Sequence, residues 1–248
     1  MNKIIILIFG FLSLISCKKV INTNSYETVN EEGLEKRLEN DTSEWIILFD
    51  GTSYDNWRGY LKEGMPKEWA IEEGSMAFKP SEEGGKSIIT KQKFTNFVLS
   101  LEWKISAGGN SGIFWGIFED ENFGKPYQTG PEIQVLDNDR HPDAKANPKF
   151  HQAGALYDLV QPMYDVCKPA GEWNLCILEV NYKRNKGSVR LNGTQIVTFP
   201  LYGSQWDAMV ENSKFKGWEV FGEYHTGHIG LQDHGDKVWY RNIKIKPL

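Results

Sequence analysis

The feature that most constrains the fold of this chain is a series of short runs of β-branched and aromatic residues, separated by turn residues, from about residue 45 onward. The dipeptide Asn192-Gly193 is typical of a two-residue hairpin turn, and the runs 188–191 and 195–199 flank it. Residues 94–106 alternate apolar and polar side chains, as a half-buried strand does. The pattern therefore predicts strands through most of the chain.

Helices are nearly absent from the predicted elements. Only residues 204–212 have the apolar spacing of a helix. Strands do not alternate with helices, which excludes folds built from βα units. About a dozen strands predict a single all-β domain, a jelly-roll sandwich of two curved antiparallel sheets with one concave face that can hold a ligand.

Composition narrows the classes of function. The chain has 40% hydrophobic and 25% charged residues, which excludes both wholesale disorder and a multi-span membrane protein. A net charge of −5 is the wrong sign for neutralising phosphates, so no nucleic-acid partner is expected. Aromatic residues, at 13%, are abundant enough to supply stacking surfaces as well as a core.

The first residues have the features of a signal peptide. Lys3 precedes an apolar run over 4–15, which is too short to span a bilayer comfortably, since ~20 residues are needed. The run ends at Cys17 and resembles a bacterial lipoprotein signal, in which Cys17 is lipidated. A plain secretory signal is the alternative. Lipidation would make the membrane a partner of the protein through its anchor.

The signal peptide is followed by a change in composition. Lys18 and Lys19 follow the lipidation site and favour a periplasmic-facing or outer-membrane location in the cell envelope. Residues 18–41 are polar and lack a sustained apolar period, so they predict a flexible tether. The folded domain is expected over 42–248.

The segment 129–138 combines polar and apolar side chains in a predicted strand. Glu132 and Gln134 share one face by the two-residue period, and the opposite face is apolar. A carboxylate and an amide therefore point the same way, as expected of a catalytic or binding strand. Asp137 faces away unless a bulge intervenes. The alternative is a solvent-facing edge strand that carries these residues by chance.

Two further segments place polar residues beside apolar runs. Asn110 lies in a glycine-rich stretch, where it can hydrogen-bond a sugar hydroxyl or an adjacent loop. Gln232 and His234 follow a predicted strand, and His234 is a candidate general base. His225 and His228 raise the alternative of a metal site, although their spacing matches no ligand motif; purely structural hydrogen bonding is the third reading.

The other candidate binding residues are aromatic, cationic or imidazole side chains. The aromatic rings are suited to stacking on sugars, and Arg241 either pairs with a carboxylate of the site or caps the last strand. These candidates are Arg58, Trp115, His151, Tyr157 and Arg241. The two cysteines beyond the signal, Cys167 and Cys176, either form a disulfide or leave Cys176 as a buried small hydrophobe.

Seven short motifs, in order along residues 44–248, together resemble the DUF1080 family, the 3-keto-disaccharide hydrolase domain. They are Leu-Phe-Asp-Gly at 48–51, Asn-Ser-Gly-Ile at 110–113, Glu-Ile-Gln-Val-Leu-Asp at 132–137, Lys-Pro-Ala-Gly-Glu-Trp-Asn at 168–174, Leu-Asn-Gly at 191–193, Leu-Gln-Asp-His-Gly at 231–235 and Arg-Asn-Ile-Lys-Ile at 241–245. The resemblance implies a concanavalin A-like jelly roll and activity on glycosides oxidised at C3.

Residues 132–137 are also similar to the Glu-x-Asp-x-x-Glu strand of jelly-roll glucanases, with an amide in place of the central carboxylate. Ordinary glycosidases need two carboxyl groups, which Glu132 and Asp137 supply only if Asp137 turns inward. A ketone at C3 instead acidifies the C2 proton, so one base and one oxyanion stabiliser suffice for elimination followed by addition of water. The working hypothesis gives Glu132 or His234 the C2 proton, while the other assists the leaving group.

Two alternatives stay open at this point. They are a conventional glucanase-like hydrolase and a non-catalytic carbohydrate-binding lipoprotein, and a carbohydrate is the expected partner in every case. No residue pattern requires a cofactor, and the sequence leaves open whether a divalent cation assists the reaction.

Overall fold

A computed structural model describes residues 45–81, 84–147 and 149–248 of the protein. It confirms the predicted sandwich of two antiparallel sheets. The predicted signal peptide, its lipidated Cys17 and the tether lie outside the described residues. No helix in the described part of the chain is both long enough and apolar enough to cross a membrane.

The larger sheet contains eight strands. Its order is β11-β10-β9-β6-β13-β4-β3, and β1 also pairs with β13. The strands are β1 (Ile46–Phe49), β3 (Trp69–Glu72), β4 (Ser75–Phe78), β6 (Phe97–Ile105), β9 (Asn174–Asn181), β10 (Lys186–Leu191), β11 (Thr194–Phe199) and β13 (Val238–Pro247).

The smaller sheet contains five strands in the order β2-β5-β12-β7-β8. These are β2 (Trp57–Gly59), β5 (Ile88–Phe94), β7 (Asn110–Ile117), β8 (Glu132–Leu136) and β12 (Gly227–Leu231). Two short α-helices, α1 (Asp143–Ala146) and α2 (Ser204–Glu211), lie in the connections, and α2 agrees with the predicted helix. Single 3-10 turns occupy Pro126–Gln128 and Tyr182–Arg184.

The hairpin between β10 and β11 forms where the Asn-Gly pair predicts it. Asn192 and Gly193 both have positive φ, at 50° and 82°, as the two central residues of this turn require. Leu191 and Thr194 face each other across the turn. The predicted strand over 94–106 is shorter than expected, because Phe94 ends β5 and Phe97 begins β6 after a turn.

The core lies between the two sheets and is built from alternate residues of their strands. Phe97, Leu99, Leu101, Trp103 and Ile105 of β6 are all buried, as the alternation predicts. From the smaller sheet, residues such as Ile113, Ile133 and Val135 join the same core. Because successive side chains of a strand point to opposite faces, Glu132 and Gln134 on β8 point away from it.

The loop after α1 lies along the outer side of β8. Tyr157 N–H donates to Glu132 O at 2.9 Å, and Gly154 N–H donates to Gln134 O at 2.8 Å. β8 is therefore covered on both sides, and both of its polar side chains are buried. The alternative of a solvent-facing edge strand is wrong for this reason.

Cys167 and Cys176 are both free thiols. Cys176 is buried in β9, and burial raises the pKa of its thiol to about 12. Cys167 donates to the carbonyl oxygen of Lys168 at 3.3 Å. The structure therefore agrees with Cys176 as a small core residue.

Candidate functional site

A cavity of about 360 Å³ opens against the polar side of β7 and β8. Its walls combine amides, one carboxylate, one ammonium group and several aromatic rings, which is the mixture that a sugar requires. The lining residues are Asn110, Tyr127, Glu132, Gln134, Tyr157, Lys214, Phe215, Trp218, Gln232 and His234. Six of the eleven predicted catalytic and binding residues lie in this wall.

The carboxyl group of Glu132 fits beside Gly112 on the neighbouring strand. A Cβ at position 112 would lie 2.7 Å from Glu132 Cδ and would overlap its Oε1. Gly112 faces Gln134 in the strand pairing, and Glu132 faces Phe114 two residue pairs further along. Only glycine at this position leaves room for the carboxyl group, so the Asn-Ser-Gly motif helps to form the site.

Burial gives Glu132 unusual acid–base properties. Its side chain is 7% exposed, and burial raises its pKa to about 8, while Lys214 opposes the rise and Asp143 adds to it. No described residue donates a hydrogen bond to its carboxyl group, so nothing offsets the desolvation of the charged form. A pKa near the working pH suits a group that both takes and returns a proton.

Two buried amides in the cavity wall have unused acceptors. Asn110 Oδ1 and Gln232 Oε1 have no hydrogen-bond partner among the described residues. Both side chains are less than a tenth exposed. Because an unpaired buried polar atom is costly, these oxygens are suited to accept hydrogen bonds from a ligand's hydroxyl groups.

Tyr157 is held beside Glu132 by a charged cluster behind the cavity. Its hydroxyl donates to Asp143 Oδ2 at 3.0 Å, and its ring stacks on His151 at 4.3 Å. The two ring nitrogens of His151 lie 2.8 Å from Asp143 Oδ1 and 2.8 Å from Asp158 Oδ1. His151 therefore supports Tyr157 from behind and is not part of the lining, where the sequence analysis had placed it as a binding residue.

Lys214 connects this cluster to the cavity. Its ammonium group lies 4.0 Å from the centre of the Tyr157 ring, and its backbone N–H donates to Asp158 Oδ2 at 2.7 Å. The backbone contact fixes the start of the loop that carries Phe215 and Trp218. Among the described lining residues, Lys214 is the only lysine or arginine.

Aromatic rings form the mouth of the cavity. Tyr127 and Trp218 are each 36% exposed, and their ring centres lie 6.2 Å apart. Phe215 supports Trp218 edge-on at 5.3 Å and stacks on Phe221 at 3.8 Å. The mouth is therefore a firm apolar surface against which a flat ring can stack.

His234 lies at the rim, in the loop that follows β12. Its Nε2 is 3.5 Å from Asn110 Nδ2, and desolvation lowers its pKa while Asp236 opposes that change. The histidines considered beside it in the sequence lie elsewhere. His225 stacks on Tyr182, and His228 Nδ1 lies 2.7 Å from the carbonyl oxygen of Thr90. The histidine that approaches His234 is His141, with a ring-centre distance of 6.1 Å.

The residues that could hold a metal ion are His141, His234 and Asp236. One ligand atom from each of them lies within 4.8 Å of the others. They come from two loops, one after β8 and one after β12. This set differs from the group of histidines considered in the sequence analysis.

Asp137 does not enter the cavity, which corrects its assignment as a candidate catalytic carboxylate. It accepts hydrogen bonds from Gly108 N–H at 2.7 Å and from Arg140 Nη1 at 3.2 Å. Burial raises the pKa of Asp137, but these hydrogen bonds outweigh it and keep the pKa below the ordinary value. As the alternation along β8 predicts, Asp137 points away from the face of Glu132 and Gln134. Its carboxylate stabilises the loop before β7 through Gly108.

Three other predicted binding residues have structural partners away from the cavity. Arg58 makes two hydrogen bonds of 2.6 Å to Glu119. Trp115 is buried in the core and stacks on Phe199 at 5.7 Å. Arg241 neither caps the last strand nor reaches the site, because it pairs with Glu102 on β6 at 2.6 Å.

Three lining residues were not predicted from the sequence: Lys214, Phe215 and Trp218. All three follow α2 in a loop with no strand or helix periodicity, so their neighbours depend on how the loop folds back. The signal that could have found them is two aromatic residues and two lysines within 213–218, beside serine and glycine.

Comparison with known proteins adds to this geometry. The model of the 3-keto-alpha-glucoside-1,2-lyase-like domain matches residues 44–246. The chain belongs to this family. A related protein, a 3-keto-disaccharide hydrolase of Bacteroides thetaiotaomicron, is 39% identical over 235 residues, which cover 84% of this chain and 80% of the relative. The resemblance drawn from the seven motifs is thereby confirmed.

Two similar solved structures are proteins of Parabacteroides distasonis. One candidate glycosyl hydrolase superposes with a TM-score of 0.77 at 27% identity, covering 85% of this chain and 96% of the other. A second has a TM-score of 0.62, also at 27% identity, and covers 82% and 99%. The sandwich is thus a fold already seen in candidate glycosyl hydrolases.

Proposed function

We propose that this protein cleaves glycosides whose C3 carries a ketone. The observation that supports this most is the isolated Glu132 carboxyl group, with its pKa near 8, in a cavity lined by amides and aromatic rings. The family membership and the 3-keto-disaccharide hydrolase relative point to the same class of substrate.

A single carboxylate favours this chemistry over conventional glycoside hydrolysis. Retaining and inverting glycosidases both use two carboxyl groups that flank the scissile bond. Among the described lining residues, Glu132 is the only carboxylate. Asp137, directly after β8, instead accepts a hydrogen bond from Gly108 in the loop before β7. A 3-keto sugar removes the need for a second carboxylate, because its ketone makes the C2 proton acidic.

The proposed reaction begins with ionised Glu132 removing the proton from C2. The C2–H electron pair forms the C1=C2 double bond, with an enolate at C3 on the way, and the C1–O bond to the aglycone breaks. Lys214 is the lining residue that can protonate the departing oxygen. Water then adds its hydroxyl group at C1 and gives its other proton to the neutral Lys214 amine. Glu132 returns its proton to C2, so both groups are restored and the net result is hydrolysis.

The remaining lining groups bind and orient the sugar in this scheme. Asn110 and Gln232 accept hydrogen bonds from hydroxyl groups through their unpaired oxygens. His234, at the rim next to Asn110, faces the oxygen of C3, where negative charge develops. Trp218 and Tyr127 at the mouth stack against the aglycone. Preorganised groups of this kind account for much of the rate acceleration in such sites.

The deciding experiment compares oxidised and unoxidised substrates. We expect release of aglycone from a 3-keto-glucoside and none from the parent glucoside, and we expect Glu132→Gln to lower kcat/KM by about 10²–10⁴-fold. Glu119→Gln, which changes a carboxyl group paired with Arg58 away from the cavity, serves as the control.

Three outcomes of this experiment contradict the proposal. Turnover of the unoxidised glucoside would favour the glucanase-like alternative. Binding of both sugars without turnover would favour a carbohydrate-binding protein. Full activity of Glu132→Gln would remove the assigned proton-transfer role.

We also propose that Cys17 is lipidated and anchors the protein to a membrane of the cell envelope, facing the periplasm. The support is the signal-like segment before Cys17 in the sequence. Labelling of cells with a clickable palmitate analogue is expected to tag the full-length protein and not Cys17→Ala. Equal labelling of the two proteins, or recovery of the wild type in the soluble fraction, would contradict the anchor.

A further inference from the structure

The rim of the cavity contains a cluster of metal-ligating side chains. One ligand atom each from His141, His234 and Asp236 lies within 4.8 Å of the others. His234 also lines the cavity, so the cluster adjoins the proposed sugar site. Two imidazoles and one carboxylate are a set that binds divalent first-row metals and leaves coordination positions open for substrate.

Backbone N–H groups contact two of these three side chains and leave one ligand atom of each without a described partner. Asn110 N–H donates to Asp236 Oδ2 at 3.0 Å, which leaves Oδ1 available. Asp143 N–H donates to His141 Nδ1 at 3.1 Å, so Nε2 is the ring nitrogen without a described partner. The hydrogen bond from Asn110 holds the Asp236 carboxylate in place, as such bonds commonly do for metal ligands.

Neighbouring carboxylates differ from Asp236 because their oxygens are already occupied. Asp233 accepts hydrogen bonds from the backbone N–H of Lys86 and of Gly235, each at 2.9 Å, through different oxygens. Asp143 contacts His151 with one oxygen and Tyr157 with the other. Both carboxylates nevertheless add negative charge around His234, which favours a cation there.

We propose that His141, His234 and Asp236 bind one divalent first-row metal ion at the rim of the cavity. This inference builds on the proposed function by giving the ion a role there, as the group that stabilises the oxygen on C3 when the C2 proton leaves. Asn110, which contacts both His234 and Asp236, then orients the ligands as well as the sugar.

Binding requires a modest closure of the cluster. A metal with ligands at about 2.1 Å places those atoms roughly 3–3.4 Å apart, so the side chains must draw together by about 1.5 Å. His234 is exposed and can rotate to do so. Coordination through His141 Nε2 also puts the ring proton on Nδ1, so the hydrogen bond from Asp143 N–H is exchanged for the metal bond.

The binding test uses Co²⁺ as the probe, because its visible absorption reports histidine and carboxylate ligation. Full-length protein is freed of metal with a chelator and titrated with Co²⁺. We expect saturable binding of one ion, and at least about tenfold weaker binding in His141→Ala and Asp236→Asn. His225→Ala, which changes an exposed histidine that stacks on Tyr182 and is not part of the cluster, should bind as the wild type does.

Several outcomes separate the parts of this inference. Absence of saturable binding in the wild type, or unchanged binding in His141→Ala and Asp236→Asn, would overturn the site. Circular dichroism of each variant establishes that it is folded, and His234→Ala provides a further ligand variant. The absorption titration needs no substrate, so it tests the site even if 3-keto-glycosides are not cleaved.

The role in catalysis has its own readout. We expect the metal-free protein to lose activity on a 3-keto-glucoside by at least about 10²-fold and to regain it with Co²⁺. Full activity of the metal-free wild type would overturn the catalytic role while leaving the binding site in place. Failure of every form to act on the substrate, with Co²⁺ binding intact, would instead refute the proposed function.

Discussion

The carboxyl group of Glu132 occupies the space that a side chain at position 112 would fill. A Cβ on Gly112 would approach Glu132 Cδ to 2.7 Å and Cγ to 2.9 Å. Strand β7 therefore contributes to the site through the absence of a side chain. The acid–base properties of Glu132 depend on this close fit, since the carboxyl group is buried in the cavity wall.

Replacing Gly112 by alanine should displace the carboxyl group. We expect Gly112→Ala to lower kcat/KM on a 3-keto-glucoside by about 10²-fold, since small misplacements of a catalytic group have effects of this size. Gly124→Ala is the matched control, because a Cβ there meets nothing within 4 Å. Steady-state kinetics and circular dichroism of both variants test this, and wild-type activity in Gly112→Ala would contradict it.

The rate should depend on the ionisation of Glu132. If the carboxylate removes the C2 proton, kcat/KM rises about tenfold per pH unit and levels off above the pKa of about 8. A pH–rate profile with the uncatalysed elimination subtracted measures this. A profile that is flat between pH 6 and 9 would show that another group takes the proton.

The same carboxyl group should make the folded state less stable at high pH. The folded protein keeps a proton on Glu132 between pH 4.5 and about 8, whereas the unfolded chain releases it. Stability therefore falls as pH rises through this range, by at most about 1.4 kcal/mol per unit, and the loss is complete above about pH 8. In denaturant unfolding, the free energy of unfolding of Glu132→Gln should increase relative to that of the wild type between pH 5 and pH 8.

Glu119 provides a control of opposite sign. Although burial raises its pKa, hydrogen bonds from Arg58 and from the Leu61 backbone outweigh this and lower it. Its carboxylate therefore stabilises the folded state above the unfolded-state pKa, and this contribution is lost as pH falls through the lower folded-state pKa. Glu119→Gln should thus be less stable than the wild type at pH 8. If the free energies of unfolding of Glu119→Gln and Glu132→Gln changed with pH in the same way, the assigned burial of Glu132 would be contradicted.

Trp218 should contribute to substrate binding more than to chemistry. Loss of its stacking face in Trp218→Ala is expected to raise KM by about 2–10-fold with little change in kcat, since such contacts are worth about 0.5–1.5 kcal/mol. Tyr164→Ala changes an exposed aromatic ring outside the cavity lining and should leave both constants unchanged. A fall in kcat alone would instead place Trp218 near the reacting atoms.

The two free thiols should differ in their effect on stability. Cys176→Ser buries a hydroxyl group in the core and is expected to cost about 1–3 kcal/mol, as measured by denaturant unfolding. Cys167→Ser, at a half-buried position, should cost less. Loss of stability on treatment with a reductant would contradict the free thiols and indicate a disulfide.

The sequence predicted those parts of the site that lie on regular strands. Alternation alone put Glu132 and Gln134 on one face, and the same parity turned Asp137 away. Lys214 and Trp218 could not be predicted in this way, because they lie in a loop whose path depends on contacts such as Lys214 N–H to Asp158. His141 was missed beside His234 for the same reason, since two separate loops bring them together.

Strand prediction succeeded where a turn residue or alternation marked the element. β10 and β11 follow from Asn192-Gly193, and β6 follows from its alternating side chains. β5 was not separated from β6, because three consecutive polar residues, 91–93, obscure its period. β2 is only three residues long and gave no signal of its own.

The loop that covers β8 has a consequence beyond the cavity. The backbone N–H groups of Gly154 and Tyr157 donate to backbone carbonyl oxygens on the outer side of β8. Because these carbonyl groups are already bonded, little of the β8 edge is free to pair with a strand of another molecule. The strand that bears the reactive carboxyl group is thus shielded from edge-to-edge aggregation, even when many copies are held close together.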